Sequence, residues 1–234
     1  FGLTGCSGET MAPGEPIAAG ADAAEPELSA YLQAMVANAH TNLTSATSRG
    51  ALAMAYDANG FNAAAEVSYE DAGLLDPRDF RWPYFRARIL ARLGRNQEAL
   101  ASLDRAIDID DTYAPAWLWR GTWLTDLDQP REAMAAARKV EKIARDPATA
   151  AAAVSIIARA HLRLDQTGDA VRILETQKAI YPHPQILRLL ATAQRRLGKA
   201  DPSAPADADA PPLAWPDAQD QAKMAYIRGL SGRL

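Results

Sequence analysis

The feature that most constrains the fold of this sequence is a helical pattern that repeats every 34 residues. The stretch "LAMAYDANGFNAAAEVSYEDAGLLDP" from Leu52 aligns without gaps with "ARILARLGRNQEALASLDRAIDIDD" from Ala87 and then with "GTWLTDLDQPREAMAAARKVEKI". Gly60 and Gly94 lie 34 residues apart, and Asp128 stands at the next step of the same interval. An irregular helical bundle has no reason to repeat at a fixed interval. The pattern therefore predicts antiparallel helix pairs that stack on one another.

The residue types at the repeated positions have a physical explanation. Ala65, Ala99 and Ala133 keep the same interval, and small side chains there let neighbouring helices approach closely. Glycine supplies the left-handed turn between the two helices of a pair, and proline ends the second helix. A fourth unit is displaced by three residues, which the "RDP" stretch at 145–147 can absorb.

These residues resemble the tetratricopeptide repeat (TPR) family. The resemblance rests on Trp117 followed by Gly121, on Leu52-Ala53 with Tyr56, and on the Asp76-Pro77 stop, together with the paired alanines. It implies an all-α fold, a right-handed α-solenoid of helix-turn-helix repeats, in which the first helices line a concave binding surface. Three residues depart from the family pattern and weaken single contacts: Arg86, Asp128 and Gln177.

The repeats predict the organisation of the whole chain. Residues 46–198 hold about four and a half repeats, which start near 46, 80, 114, 151 and 184. Solenoid ends need caps, and residues 27–45 are predicted to form a helix that covers the open end of the first repeat. Residues 199–213 are a Pro/Ala/Asp linker. Residues 214–234 are predicted to form a helix that Asp217 caps and that leads into a further part of the chain, as in a group of exported bacterial TPR proteins with a similar Trp-Pro-Asp helix.

The chain has one cysteine, Cys6, and it follows Leu-Thr-Gly. This stretch resembles a bacterial lipobox, in which the cysteine receives a diacylglycerol and becomes the mature N-terminus. On that interpretation residues 1–6 are the remnant of a signal peptide and residues 7–26 are a flexible linker. Ser7 after the cysteine favours the outer membrane, on the periplasmic side. The alternative is a stray cysteine in a disordered tail.

Composition excludes several classes of function. The net charge of −4 argues against a general nucleic-acid binder. No run of about 18 apolar residues occurs, and one cysteine with three scattered histidines argues against a Cys/His zinc site. Neither a Gly-rich phosphate loop nor Gly-x-Ser-x-Gly occurs. We therefore predict no catalytic residue, no metal and no cofactor, and expect His161 to be packed in the core.

Counting along the first helices predicts the residues that face the concave groove. Arginine recurs along this line, and its guanidinium pairs well with carboxylates. Trp117 is expected in the core, whereas Trp119 is expected at the edge of the groove. The predicted groove residues are Arg81, Tyr84, Arg88, Arg92, Trp119, Thr122, Arg159, Arg163, Arg188 and Arg195.

Two interpretations of these arginines remain open at the level of sequence. Either they bind an acidic or C-terminal peptide segment of a partner protein, or they are solvated positions filled by a good helix former. Two functions are likewise open. The first is a lipid-anchored, non-enzymatic interaction scaffold in the bacterial envelope. The second is an accessory TPR module of a larger exported, conceivably catalytic, protein.

Overall fold

The computed structural model describes residues 12–19, 25–199 and 211–227, and these residues form eleven α-helices and no strand. The helices are α1 Pro26–Thr41, α2 Ala46–Ala58, α3 Asn62–Leu75, α4 Arg81–Arg92, α5 Asn96–Ile109, α6 Ala114–Asp126, α7 Pro130–Ile143, α8 Pro147–Arg163, α9 Thr167–Ile180, α10 Pro184–Arg196 and α11 Ala218–Met224. The helix pairs predicted from the repeat are α2–α3, α4–α5, α6–α7 and α8–α9. Each pair packs together, and α1 packs against α2. Cys6 lies outside the described residues.

The bends that follow α2, α4, α6 and α10 confirm the predicted turn positions. Gly60, Gly94 and Gly198 have φ angles of 86°, 77° and 70°, and Asp128 has a φ of 57°. These values lie in the left-handed region that glycine and, less readily, aspartate adopt. Asp165 also has a φ of 57°, and it provides the bend of the fourth pair, which the sequence analysis did not assign.

The three additional residues of the fourth unit lengthen its first helix. Helix α8 has 17 residues, whereas α4 has 12 and α6 has 13. The Asp146 carboxylate accepts the Thr149 backbone N–H at 2.9 Å, and Pro147 occupies the first helical position, where it needs no N–H partner. The start expected near 151 is therefore corrected to Pro147.

The chain divides into two compact units. Unit one comprises α1–α5, residues 12–19 and residues 219–227. Its core contains large aromatic side chains, among which Tyr69 and Phe85 stack at 5.3 Å between ring centroids. Arg49 and Asp71 form a buried ion pair. The predicted linker contacts this core, since Arg49 Nη1 donates to the Gly14 carbonyl at 2.9 Å and Gly14 N–H donates to Asp71 at 2.8 Å.

Unit two comprises α6–α10 and residues 211–218. Alanines fill much of its core, and a Cβ on Gly121 would lie 3.2 Å from Ile156 Cγ2, so α6 and α8 are in close contact there. Two packing predictions are corrected. His161 is only half-buried and bonds Gln166 through Nδ1 at 2.7 Å. Trp117 is also half-buried; its Nε1–H donates to the Asp111 carbonyl at 2.9 Å, and Lys139 lies 5.6 Å from its ring centroid.

No helix in the described part of the chain is both long enough and apolar enough to cross a bilayer.

Candidate partner-binding surface

In unit one, α4 carries four of the predicted groove residues, and their environments differ. Tyr84 is fully buried, so it is part of the core and not of an open groove. Arg81 pairs with Asp79 at 2.5 Å, two residues before it in the chain. Arg88 is mostly buried, with 18% of its side chain exposed, and pairs with Asp220 at 2.9 Å. Two of these four residues are therefore committed to local packing or local pairing.

Arg92 pairs with a carboxylate that the sequence analysis did not single out. Asp57, at the end of α2, has a fully buried side chain and accepts from Arg92 Nη2 at 2.6 Å and from Lys223 Nζ at 3.0 Å. It also accepts from the Tyr69 hydroxyl at 3.2 Å. Burial, followed by the charge of Asp57, raises the pKa of Tyr69 well above its usual value. Asp57 is thus the hub of a buried polar network on the first helices of unit one.

Residues 219–227 lie on the same helices. Asp220 reaches Arg88, and Lys223 reaches Asp57 while its Nζ lies 5.7 Å from the Phe85 ring centroid. The Tyr226 carbonyl accepts from Asn59 Nδ2 at 3.1 Å. Burial opposes the charge of Arg88, but Tyr84 and Asp220 outweigh it and raise the Arg88 pKa. The charged face predicted on α4 is therefore partly occupied by the chain's own C-terminal residues.

In unit two, residues 211–218 lie on α6 and α10. Leu213 is buried and its N–H donates to Gln185 Oε1 at 2.5 Å. Trp215 packs edge-on against Trp119, with ring centroids 5.0 Å apart. The Asp217 carboxylate accepts from the Tyr113 hydroxyl at 2.5 Å.

The remaining predicted residues of unit two separate into two groups. Arg163 pairs with Asp128 at 2.6 Å with both side chains exposed, Arg195 donates to Thr192 at 3.3 Å, and Thr122 donates to the Leu118 carbonyl at 2.8 Å in its own helix. Arg159 and Arg188 are half-buried and have no ion pair or hydrogen bond from their guanidinium groups to any described residue. Burial, and then the charge of Arg188, lowers the pKa of Arg159, while Asp126 acts in the opposite direction. A carboxylate placed there would relieve this repulsion.

The structure brings some predicted residues together and gives others different roles. Arg88 and Arg92 share the network around Asp57, whereas Tyr84 and Arg81 do not present free groups. Sequence reasoning missed Asp57, Tyr113 and Gln185, which hold the C-terminal residues, and it missed Lys223, which pairs with Asp57. None of these lies in a recognisable motif. Their pairings span long separations, for example 104 residues between Tyr113 and Asp217 and 28 residues between Gln185 and Leu213. The described residues contain no group of three or more His, Cys, Asp or Glu side chains that could hold a metal ion.

Comparison with known proteins agrees with this architecture. The profile of the family "Tetratricopeptide repeat" matches residues 84–113, which span most of α4 and all of α5. Among solved structures, MamA from Desulfovibrio magneticus RS-1 is similar with a TM-score of 0.60 and 18% identity over 66% of this chain and 86% of that chain. YrrB, described as "a TPR protein with an unusual peptide-binding site", is similar with a TM-score of 0.61 and 14% identity over 72% of this chain and 86% of that chain. The chain contains a tetratricopeptide repeat and has the TPR fold.

One further structure has higher sequence identity to this TPR protein. PilW, described as a "widely conserved type IV pilus biogenesis factor", has 26% identity and a TM-score of 0.56 over 66% of this chain and 70% of that chain. No curated protein matches the sequence significantly. These likenesses support the TPR fold and the general role of such repeats as scaffolds for protein interactions.

Proposed function

We propose that this TPR protein is a non-enzymatic scaffold that binds a segment of a partner protein on the first helices of its repeats. The observation that supports the proposal is that these helices already receive a peptide segment in each unit, through Arg88 in unit one and Trp119 in unit two. The similar structure YrrB is described as having a peptide-binding site. Arg159 and Arg188 add a pair of positive charges that form no ion pair with any described residue, which favours an acidic or C-terminal segment.

Charge reversal tests this proposal. The full chain carrying Arg159→Glu is expressed in a host with native partners, crosslinked in place, and the captured proteins are quantified by mass spectrometry. We expect capture of the specific partner to fall at least tenfold, because a carboxylate would face a like charge at the reversed position. Arg138→Glu is the matched control, because Arg138 lies exposed on α7, a second helix. Equal capture by both variants would leave the arginines as ordinary surface.

We further propose that the protein is a lipoprotein of the bacterial envelope, attached through Cys6 and located on the periplasmic side of the outer membrane. The support is the Leu-Thr-Gly-Cys stretch and the position of the single cysteine before a Pro/Gly/Ala-rich stretch. Metabolic labelling with a fatty acid should mark the wild type and not Cys6→Ser. Label retained by the serine variant would eliminate the anchor without affecting the binding proposal.

A further inference from the structure

The C-terminal segment, residues 211–227, contacts the first helices of the repeats through specific side chains. In unit two, Trp215 and Asp217 supply a ring and a carboxylate to Trp119 and Tyr113. In unit one, Asp220 and Lys223 supply opposite charges to groups on α4 and α2. Positions that a TPR protein leaves available for recognition therefore hold residues of the same chain.

The contacts in unit one are more than surface ion pairs. Lys223 has 13% of its side chain exposed, and its partner Asp57 has none exposed. Exposed pairs contribute little, but removing one member of a buried pair leaves an uncompensated charge and is strongly unfavourable. Asp57 also pairs with Arg92, so Lys223 is the second cation on this buried carboxylate, while Asp220 supplies the acid that pairs with Arg88. A segment that carries an acid and a base at this spacing is therefore favoured on α2 and α4.

The C-terminal segment is nevertheless held by few side chains. Only Leu213 and Asp217 are buried among residues 211–227, and α11 has no buried residue. With seven residues, α11 is also too short to be stable alone. A structural helix of a repeat buries a continuous apolar face, as α4 does with Trp82, Phe85 and Leu90. The segment has instead the character of a bound peptide with a few anchors.

We infer that residues 211–227 are an internal ligand of the first helices, and that a partner segment binding there has the same chemistry and displaces it. In unit two that chemistry is an aromatic ring followed by a carboxylate two positions later, as in Trp215 and Asp217. In unit one it is a carboxylate followed by a base three positions later, as in Asp220 and Lys223. The claim that a partner segment binds at this place rests on the proposed function. The claim that residues 211–227 are an internal ligand does not depend on it.

Covalent attachment makes the internal ligand an effective competitor. A ligand joined by a linker as short as residues 200–210 acts at an effective concentration on the order of millimolar. If the free segment binds with a dissociation constant of about 10–100 μM, the attached segment weakens a competing partner by roughly 10–100-fold. Partner capture would then be controlled by release of the segment.

The test uses the full chain with a protease site replacing residues 203–208, cleaved after folding. A fluorescein-labelled peptide of residues 211–227 is added and its anisotropy is measured. We expect binding to the cleaved chain to be at least tenfold tighter than to the uncleaved chain, because cleavage removes the covalent competitor. Peptides carrying Trp215→Ala or Asp220→Asn should bind at least tenfold more weakly. A Met224→Ala peptide is the matched control and should bind unchanged, since Met224 is 60% exposed.

Several results would overturn the inference. They are equal binding of the wild-type and substituted peptides, equal binding to cleaved and uncleaved chain, or no exchange of the cleaved fragment with excess labelled peptide. A dimer of the uncleaved chain at micromolar concentration that dissociates on cleavage would also overturn it, because the segment would then bind a second copy. Circular dichroism before and after cleavage verifies that the repeats remain folded.

The same assay separates this inference from the proposed function. In the partner-capture experiment, full-length Trp215→Ala should capture several-fold more partner, because the internal competitor is weakened. If the peptide exchanges but Trp215→Ala captures as much partner as the wild type, residues 211–227 are an internal ligand but the partner does not bind the first helices. Increased capture with no peptide exchange would reject the internal ligand and leave the scaffold proposal standing.

Discussion

At the scale of single residues, two helical glycines beside Trp82 provide a matched pair. A Cβ on Gly50 would lie 2.2 Å from the Trp82 ring, whereas a Cβ on Gly73 would lie 3.7 Å from Trp82 Cβ, an ordinary contact. Alanine favours a helix over glycine by about 1 kcal/mol, but forcing atoms into a packed core costs about 1–3 kcal/mol or more. We expect Gly50→Ala to lower the free energy of unfolding and Gly73→Ala to leave it unchanged or raise it, as measured by urea denaturation. Equal effects would contradict the packing of Trp82 against α2.

Tyr69 gives a pH-dependent prediction. Its pKa is raised by burial and by Asp57, so above about pH 10 the unfolded chain loses the phenolic proton while the folded chain keeps it. The contribution of Tyr69 to stability is therefore complete below pH 10 and is lost as pH rises, at about 1.4 kcal/mol per pH unit. We expect the free energy of unfolding of Tyr69→Phe to decline less steeply than that of the wild type between pH 10 and 11. Parallel curves would contradict the protonated, buried phenol.

The residues that could be predicted from sequence are those that the repeat itself fixes. Gly60, Gly94 and Asp128 were placed at bends because one interval relates them, and their φ angles agree. Asp165 was missed because the interval changes by three residues before it. Asp57 was missed for a different reason, since its partners Arg92 and Lys223 come together only in the folded chain.

At the scale of elements, helix pairs were predictable and irregular segments were not. The period of a helix and its caps are local properties, so α4 and α6 begin within one residue of their expected starts. Residues 12–19 and 211–227 have no apolar period, and their positions depend on a few side-chain contacts with residues far away in the sequence. The predicted linker at 7–26 therefore gave no indication that Gly14 contacts Arg49 and Asp71.

Tyr56 tests the attachment of residues 12–19 to α2. Its hydroxyl donates to the Ile17 carbonyl at 2.5 Å and accepts the Ala19 N–H at 3.0 Å. Tyr56→Phe keeps the ring in the core but leaves both backbone groups without this partner, at a cost of about 1–2 kcal/mol. We expect faster hydrogen exchange at Ala19 and faster proteolysis between residues 12 and 19, with α2 still protected.

Tyr181→Phe is the control for this experiment, because the Tyr181 hydroxyl makes no hydrogen bond to any described residue. It should leave exchange and proteolysis of residues 12–19 unchanged. Equal protection of Ala19 in the wild type and in Tyr56→Phe would mean that Gly14 alone holds the segment.

At the scale of the whole molecule, the net charge is −4, but acidic side chains do not pair with every arginine. Most of the predicted groove arginines have found an acid within their own unit: Arg81 with Asp79, Arg88 with Asp220, Arg92 with Asp57 and Arg163 with Asp128. Arg159 and Arg188 of unit two have no such partner among the described residues. Asp126 acts against the repulsion felt by Arg159, but burial and Arg188 outweigh it.

Because Arg159 and Arg188 repel each other, we predict that Arg188 lowers the free energy of unfolding. Because burial and Arg188 lower the pKa of Arg159, the charged form of Arg159 is less favourable in the folded chain than in the unfolded chain at neutral pH. Arg188→Gln removes the repelling charge while keeping a long polar side chain. We expect it to raise the free energy of unfolding by about 0.5 kcal/mol, measured by urea denaturation at low ionic strength, with the gain diminishing as salt screens the repulsion.

Arg163→Gln is the matched control, since it removes an arginine of the same unit that has an exposed acidic partner, Asp128. It should have no effect or a slightly destabilising one, because exposed pairs contribute little. If Arg188→Gln stabilises the chain and also reduces partner capture, then Arg188 contributes to partner binding and lowers the stability of the wild type. If Arg188→Gln destabilises the chain more than Arg163→Gln does, Arg188 has a favourable role in the fold, and the case for a carboxylate-binding site at Arg159 and Arg188 loses its physical basis.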